Sequence, residues 1–241
     1  MTFRNSYSDT TRAEAYAQLE FANTYHLAFR DLPEIIQKHV KGNRGVDFGC
    51  GAGRSTRFLR DLGFDAVGID ISQDMIAKAK EIDPHGDYRH VADGNYSTLP
   101  QHHFDLVQAI FTFDNIPGAE HRTMLMSNLA NLLSLNGRLL LLDSTPELYL
   151  NDWASFTTTC FPNNKTAGSG DLVQTIITDV FDARPVDDIL WLHDDYLRNF
   201  KKAGLTLEAT YYPLAKHEEP FAWINETEVA PWVIYVLKLN S

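Results

Sequence analysis

The chain has 241 residues, 44% of them hydrophobic and 12% aromatic, enough apolar material for one large α/β domain or a domain with a lid. A formal charge of −11, from 32 acids against 21 lysines and arginines with no basic cluster, argues against nucleic acid and favours a neutral or cationic small molecule as partner. No apolar run has the length of a membrane span, and Arg4, Asp9 and Arg12 stand where a signal-peptide core would be. The two cysteines, Cys50 inside the glycine-rich run and Cys160 standing alone, support neither a disulfide framework nor a zinc cluster, so a cytoplasmic, metal-free protein is expected.

Residues 12 to 30, rich in Ala, Glu and aromatics, predict one helix ending before Pro33, and a second short helix runs to about Val40; together they form a cap. A first strand leads into Val46 to Gly53, VDFGCGAG, and the next helix carries Phe58, Leu59 and Leu62 and stops at Gly63. FDAVGID is a second strand ending in Asp70. Ser72 caps the following helix, with Asp74 in its first turn and Met75, Ile76 and Ala79 along one side. VADG at 91 to 94 follows a third strand-like run, FDLVQAIF at 104 to 111 is a fourth, and GRLLLLD at 137 to 143 is a fifth after the stripe Leu125, Leu129, Leu132 and Leu133. For about fifty residues after Asp143 the rhythm breaks, which predicts an insertion that leaves the sheet near the strands' carboxyl ends and walls the substrate site. A helix resumes at Asp194 or Asp195, with Lys201 and Lys202 in its last turn, and LTLEATYY and WVIYVLKL close the chain as two strands. Strands alternating with helices imply a doubly wound, mostly parallel sheet. The expected organisation is one domain: a cap over 1–40, a cofactor-binding core over 41–145, a lid over 146–193, and the last helix and strands over 194–241.

The chemistry is concentrated in the glycine loop. Gly49, Gly51 and Gly53 let the backbone turn sharply and a ligand approach closely, and the helix after them presents free N–H groups. Asp47 beside the loop would repel a pyrophosphate but attract an ammonium, such as that of the methionine arm of S-adenosylmethionine. Asp70, 17 residues beyond Gly53, is placed to accept both hydrogens of a ribose diol.

With these motifs in this order, residues 40 to 145 resemble the class I, seven-stranded S-adenosylmethionine-dependent methyltransferases. The resemblance implies a seven-stranded sheet with a closing antiparallel hairpin, S-adenosylmethionine as cofactor and S-adenosylhomocysteine as product. It makes Asp47, Gly49, Gly51 and Gly53 the methionine-side loop and Asp70 the ribose ligand. Ile71 and Met75 would flank the adenine, Asp93, with Gly94 beside it, would meet its amino group, and Ala109 to Phe111 would close the floor.

Transfer from a sulfonium is an in-line displacement that demands alignment rather than a nucleophilic residue. No catalytic residue has a motif behind it; His193 and Asp114 are candidates for a base, and His121 reads better as a first-turn helix residue. Tyr7 and Tyr16 of the cap, Phe113 after the fourth strand, and Trp153, Phe156 and Phe161 of the insertion either enclose the substrate or anchor the lid. After the fourth strand AIFTFDN lacks the Asn/Asp-Pro-Pro-aromatic motif of adenine and glutamine enzymes, and Cys160-Phe-Pro is not the Pro-Cys of cytosine enzymes. A small-molecule N- or O-methyltransferase remains, with N favoured slightly by the acidic balance. Two alternatives stay open: a non-catalytic protein that binds the same cofactor, and an NAD-dependent dehydrogenase, opposed by Asp47, by Arg54 where the dinucleotide fingerprint has glycine, and by the lack of a Tyr-x-x-x-Lys pair.

Overall fold

Residues 10–240 are described by the computed structural model. Five parallel strands, β1 (Arg44–Phe48), β2 (Asp65–Asp70), β3 (Asp87–His90), β4 (Phe104–Ile110) and β5 (Leu133–Ser144), form the sheet that the alternating pattern predicts. A lid sheet of three short antiparallel strands follows: β6 (Phe156–Thr157), β7 (Leu172–Ile177) and β8 (Val186–Ile189). The chain then returns through β9 (Leu205–Tyr211) and β10 (Trp232–Leu239), and β10 runs antiparallel between β5 and β9 to give the order β3-β2-β1-β4-β5-β10-β9.

The central strands are buried on both faces, which is why β4 reads as an almost unbroken apolar run. Alternate residues serve opposite layers. Val107, Leu139, Leu141, Val233 and Tyr235 pack beneath α6 (Ala119–Ala130) and α7 (His193–Lys202), while Leu106, Ile110, Leu140, Leu142 and Trp232 meet the N-terminal helices and the lid. Helix α4 (Arg54–Asp61) follows the glycine loop and α5 (Gln73–Ile82) follows β2. Ser72 caps α5 by accepting from Met75 N at 3.3 Å. Because the chain winds outward from β1 towards β3 and then restarts at β4, a crevice opens beyond the carboxyl ends of β1 and β4.

The cap departs from expectation. In place of one helix over 12–30 there are two, α1 (Thr10–Ala17) and α2 (Thr24–Arg30), and Pro33 lies in the first turn of α3 (Leu32–His39). Asn23 adopts φ 50° ahead of α2, and the buried Thr24 donates through Oγ1 to Glu226 at 2.7 Å. That long-range bond overrides a local sequence without a helix breaker. The last helix begins at His193, one residue earlier than the acids suggested. No helix among the described residues is long and apolar enough to cross a membrane.

Candidate functional site

The loop between β1 and α4 is held from behind. Gly49 N and Cys50 N both donate to Ile69 O, at 2.9 and 3.1 Å, which draws the loop against the end of β2. Gly49 has φ +70°, and a Cβ there would lie 2.4 Å from Thr112 Cγ2, so the close approach of β4's exit requires glycine. Gly51 has φ +52° with nothing within 4 Å of where its Cβ would be, so the loop presents bare backbone to open space. Its N–H donates to Asp70 Oδ2 at 2.9 Å, and Ser72 N donates to Asp70 Oδ1 at 2.8 Å. Burial raises the Asp70 carboxyl above its usual range against these bonds.

Asp47 corrects the sequence reading. It is wholly buried and off the wall of the crevice. Its Oδ2 accepts from Ser55 Oγ at 2.7 Å and Thr56 Oγ1 at 2.6 Å, and its Oδ1 from Gln108 Nε2 at 3.0 Å. Burial pushes it up to about 6. The carboxylate therefore locks the first turn of α4 to β1 and β4 and does not line the cavity.

The crevice deepens into a cavity of about 460 Å³ that runs from the glycine loop to the inner face of the lid. At the loop end lie Gly49, Gly51, Arg54, Asp70, Ile71, Met75 and Asp93. Arg54 donates to Glu20 O at 3.1 Å, and its guanidinium lies 4.9 Å from the Tyr25 ring centre and 5.3 Å from that of Phe29. The middle is aromatic: Tyr25, Phe111, Phe156 and Trp232 line it, with the Phe111 and Trp232 rings 4.6 Å apart. Phe111 itself adopts φ 54°, a sparsely populated conformation for a bulky residue. At the lid end are Asp114, in the 3-10 turn after β4, and Asp188, on the inner face of β8. Ser144 donates to Asp114 Oδ2 through Oγ at 2.7 Å and through N at 3.1 Å, and Tyr149 OH donates to Asp188 Oδ2 at 3.1 Å. Burial raises both carboxyls, Asp114 to about 6; Asp188 is raised further by the neighbouring Asp114.

The structure divides the expected residues. Gly49, Gly51, Asp70, Ile71, Met75, Asp93, Phe111, Asp114, Tyr16 and Phe156 line one cavity, and so does His121, whose Nε2 is 3.3 Å from Asp93 Oδ2. Others are structural. Gly53 starts α4 with φ 84° against Tyr88, Gly94 gives its carbonyl to Asn128, and Ala109 sits within the core. Phe113 is buried between Phe48 and the Arg122 guanidinium, and Trp153 is buried with its indole N–H on Leu148 O at 2.8 Å, so neither faces a substrate. His193 lies in a separate depression, stacked on Tyr235 and 2.9 Å from its hydroxyl, away from the cavity. Tyr7 lies outside the described residues. Sequence reasoning missed Asp188, Tyr149, Trp232 and the presence of Arg54 on the wall. One signal was available for Asp188: in the β8 run VDDI it shares a face with Val186, an acid at an inward position.

Residues 19–182 match the family model described as a methyltransferase domain. The chain belongs to that family. Among curated relatives, a ubiquinone biosynthesis O-methyltransferase of Methylococcus capsulatus is 44% identical over 50 residues, 20% of this chain and 21% of that protein. An uncharacterized methyltransferase of Alkaliphilus oremlandii is 23% identical over 141 residues, 58% of this chain. The chain thus spans 21% and 63% of the length of the two curated relatives it matches. Among solved structures, an S-adenosylmethionine-dependent methyltransferase from Clostridium acetobutylicum superposes with TM-score 0.63 over 98% of this chain and all of the other, at 13% identity. At that identity the likeness concerns the methyltransferase fold, which both chains share.

Proposed function

We propose that this methyltransferase domain moves the methyl group of S-adenosylmethionine to a nitrogen or oxygen of a small molecule. The observation that carries the reading is a single cavity with two chemically different ends: a Cβ-free loop beside a carboxylate at one, and an aromatic chamber leading to separate polar groups at the other. The loop end suits the cofactor. Each Asp70 oxygen holds one backbone N–H and keeps lone-pair capacity for one hydroxyl of a ribose diol. Ile71 and Met75 offer apolar flanks for an adenine, and Asp93 an acceptor for its amino group. Arg54, at the start of α4, supplies the cation for the carboxylate of the methionine arm.

When bound, the cofactor supplies an electrophilic methyl whose bond to sulfur breaks with its electron pair going to sulfur. The chain's own part is positioning. Thr112 fixes the glycine loop to β4, its Oγ1 donating to Phe48 O at 3.1 Å. The lid strands and Trp232 wall the aromatic chamber, and Asp114 offers a carboxylate oxygen to take the acceptor's proton. Calorimetric titration with S-adenosylhomocysteine, with NAD as the matched control, tests the reading. Micromolar binding of the first and none of the second is expected; binding of NAD alone overturns it.

A further inference from the structure

We infer that the acceptor carries a basic nitrogen and enters the lid end of the cavity as an ammonium ion between Asp114 and Asp188; this rests on the methyltransferase reading above. One carboxylate comes from the 3-10 turn after β4 and the other from the lid strand β8, and both are more than nine-tenths buried, at 6% and 7% exposure. Each gives one oxygen to the protein, Oδ2 in both cases, and no donor among the described residues reaches either Oδ1. The single hydrogen of each flanking hydroxyl is committed, Tyr149 OH donating to Asp188 and Ser144 Oγ donating to Asp114.

No ion pair joins either carboxylate to a cation among the described residues. Arg122 acts on Asp114, and Arg12 on Asp188, only across space. The nearby Asp143, also buried, adds to the negative field at Asp114's side of the sheet. Two buried carboxylates facing one cavity without a bonded cation form a site whose missing element is positive charge. An alcohol offers a single hydrogen and no charge, so it would relieve neither the repulsion nor both free oxygens. A protonated amine offers several hydrogens and the charge. The rings of Phe111, Phe156 and Trp232 above this end suit the same ligand, since aromatic faces attract cations and enclose an apolar body. For transfer, one N–H bond of the ammonium breaks, its proton passes to Asp114 Oδ1, and the bonding pair stays on nitrogen as the lone pair that takes the methyl.

The test is calorimetry on the full chain saturated with S-adenosylhomocysteine, using matched probes: 2-phenylethylamine against 2-phenylethanol, and cyclohexylamine against cyclohexanol. At least one amine should bind tenfold or more tightly than its alcohol. In Asp188→Asn and Asp114→Asn that preference should fall to within about twofold while the affinity for S-adenosylhomocysteine stays at the wild-type value, which also shows that the variants are folded. Equal affinity of amine and alcohol, binding of neither by a protein that holds S-adenosylhomocysteine, or an amine preference that survives both substitutions would overturn the inference alone. Failure to bind S-adenosylhomocysteine would overturn the methyltransferase reading and the inference with it.

Discussion

The backbone N–H of Gly51 donates to Asp70 Oδ2 at 2.9 Å, so the glycine loop after β1 is tied to the acid that ends β2. The bond shapes the loop and orients the carboxylate at once. In the proposed reading Asp70 also accepts the ribose diol, and Asp70→Ala should therefore weaken S-adenosylhomocysteine binding by roughly 10- to 150-fold, the 1.5–3 kcal/mol of hydrogen bonds to a charged group. Titration calorimetry measures it. Unchanged affinity removes Asp70 from the cofactor site.

Gly49 and Gly51 should fail differently when replaced by alanine. At Gly49 the new Cβ meets Thr112 at 2.4 Å, and Thr112 cannot retreat without giving up its bond to Phe48 O. Gly49→Ala should lower the melting temperature by several degrees, consistent with a loss of about 2 kcal/mol. At Gly51 the Cβ meets only open space, so Gly51→Ala should cost about 1–2 kcal/mol for its positive φ. It should still lose cofactor affinity by an order of magnitude or more, because the methyl projects where backbone would contact ligand. Thermal denaturation and titration of both variants separate the two effects; a Gly51→Ala protein with wild-type affinity would contradict the assignment.

These two glycines also show how far a sequence can be read. The strand, loop and helix around VDFGCGAG obey local rules, and so do Asp70 and the capping Ser72, because each is set by a turn or a strand end whose chemistry lies within a few residues. Asp47 was legible as important but not in its role: its partners Ser55 and Thr56 are local, whereas Gln108 comes from β4, and only the assembled sheet turns the carboxylate inward. Trp153 and Phe156 are close neighbours in sequence with opposite fates, one buried on Leu148 and one on the cavity wall. The lid has too few residues per strand to set its faces by periodicity alone. Asp188 reaches the cavity because β8 pairs with β7 in a register that long-range packing selects.

The lid is braced by one buried acid. Glu226 Oε1 accepts from Thr24 Oγ1 and Ala154 N, both at 2.7 Å, and Oε2 accepts from Ile224 N at 2.8 Å and Asn225 N at 3.1 Å. It thereby joins the start of α2, the entry to the lid and the segment before β10. Glu226→Ala leaves these donors without a partner inside the protein and should cost on the order of 3 kcal/mol. Glu226→Gln, which keeps one acceptor oxygen, should cost less. Urea unfolding of the two variants gives the comparison, and equal stability of wild type and Glu226→Ala would show that the carboxylate holds nothing together.

Asp114 makes stability depend on pH in the opposite sense from a surface ion pair. Burial raises its carboxyl from 3.8 to about 6, against the bonds from Ser144 and the field of Arg122. Between these values the native state binds more protons than the unfolded chain, so stability falls as pH rises through this window and is flat above it. A shift of about two units corresponds to roughly 2–3 kcal/mol. Carboxylates such as Asp105 and Asp182, held low by hydrogen bonds from Arg44 and Arg184, contribute with the other sign at lower pH and mask the effect in the wild type alone. The difference between wild type and Asp114→Asn cancels them. Relative to wild type, the Asn variant should become more stable by roughly 2–3 kcal/mol as pH rises from about 4 to 7, read from urea unfolding at both pH values. A difference that does not change with pH would mean that Asp114 ionises as a solvated acid, and the lid end of the cavity would then have no need of a cation.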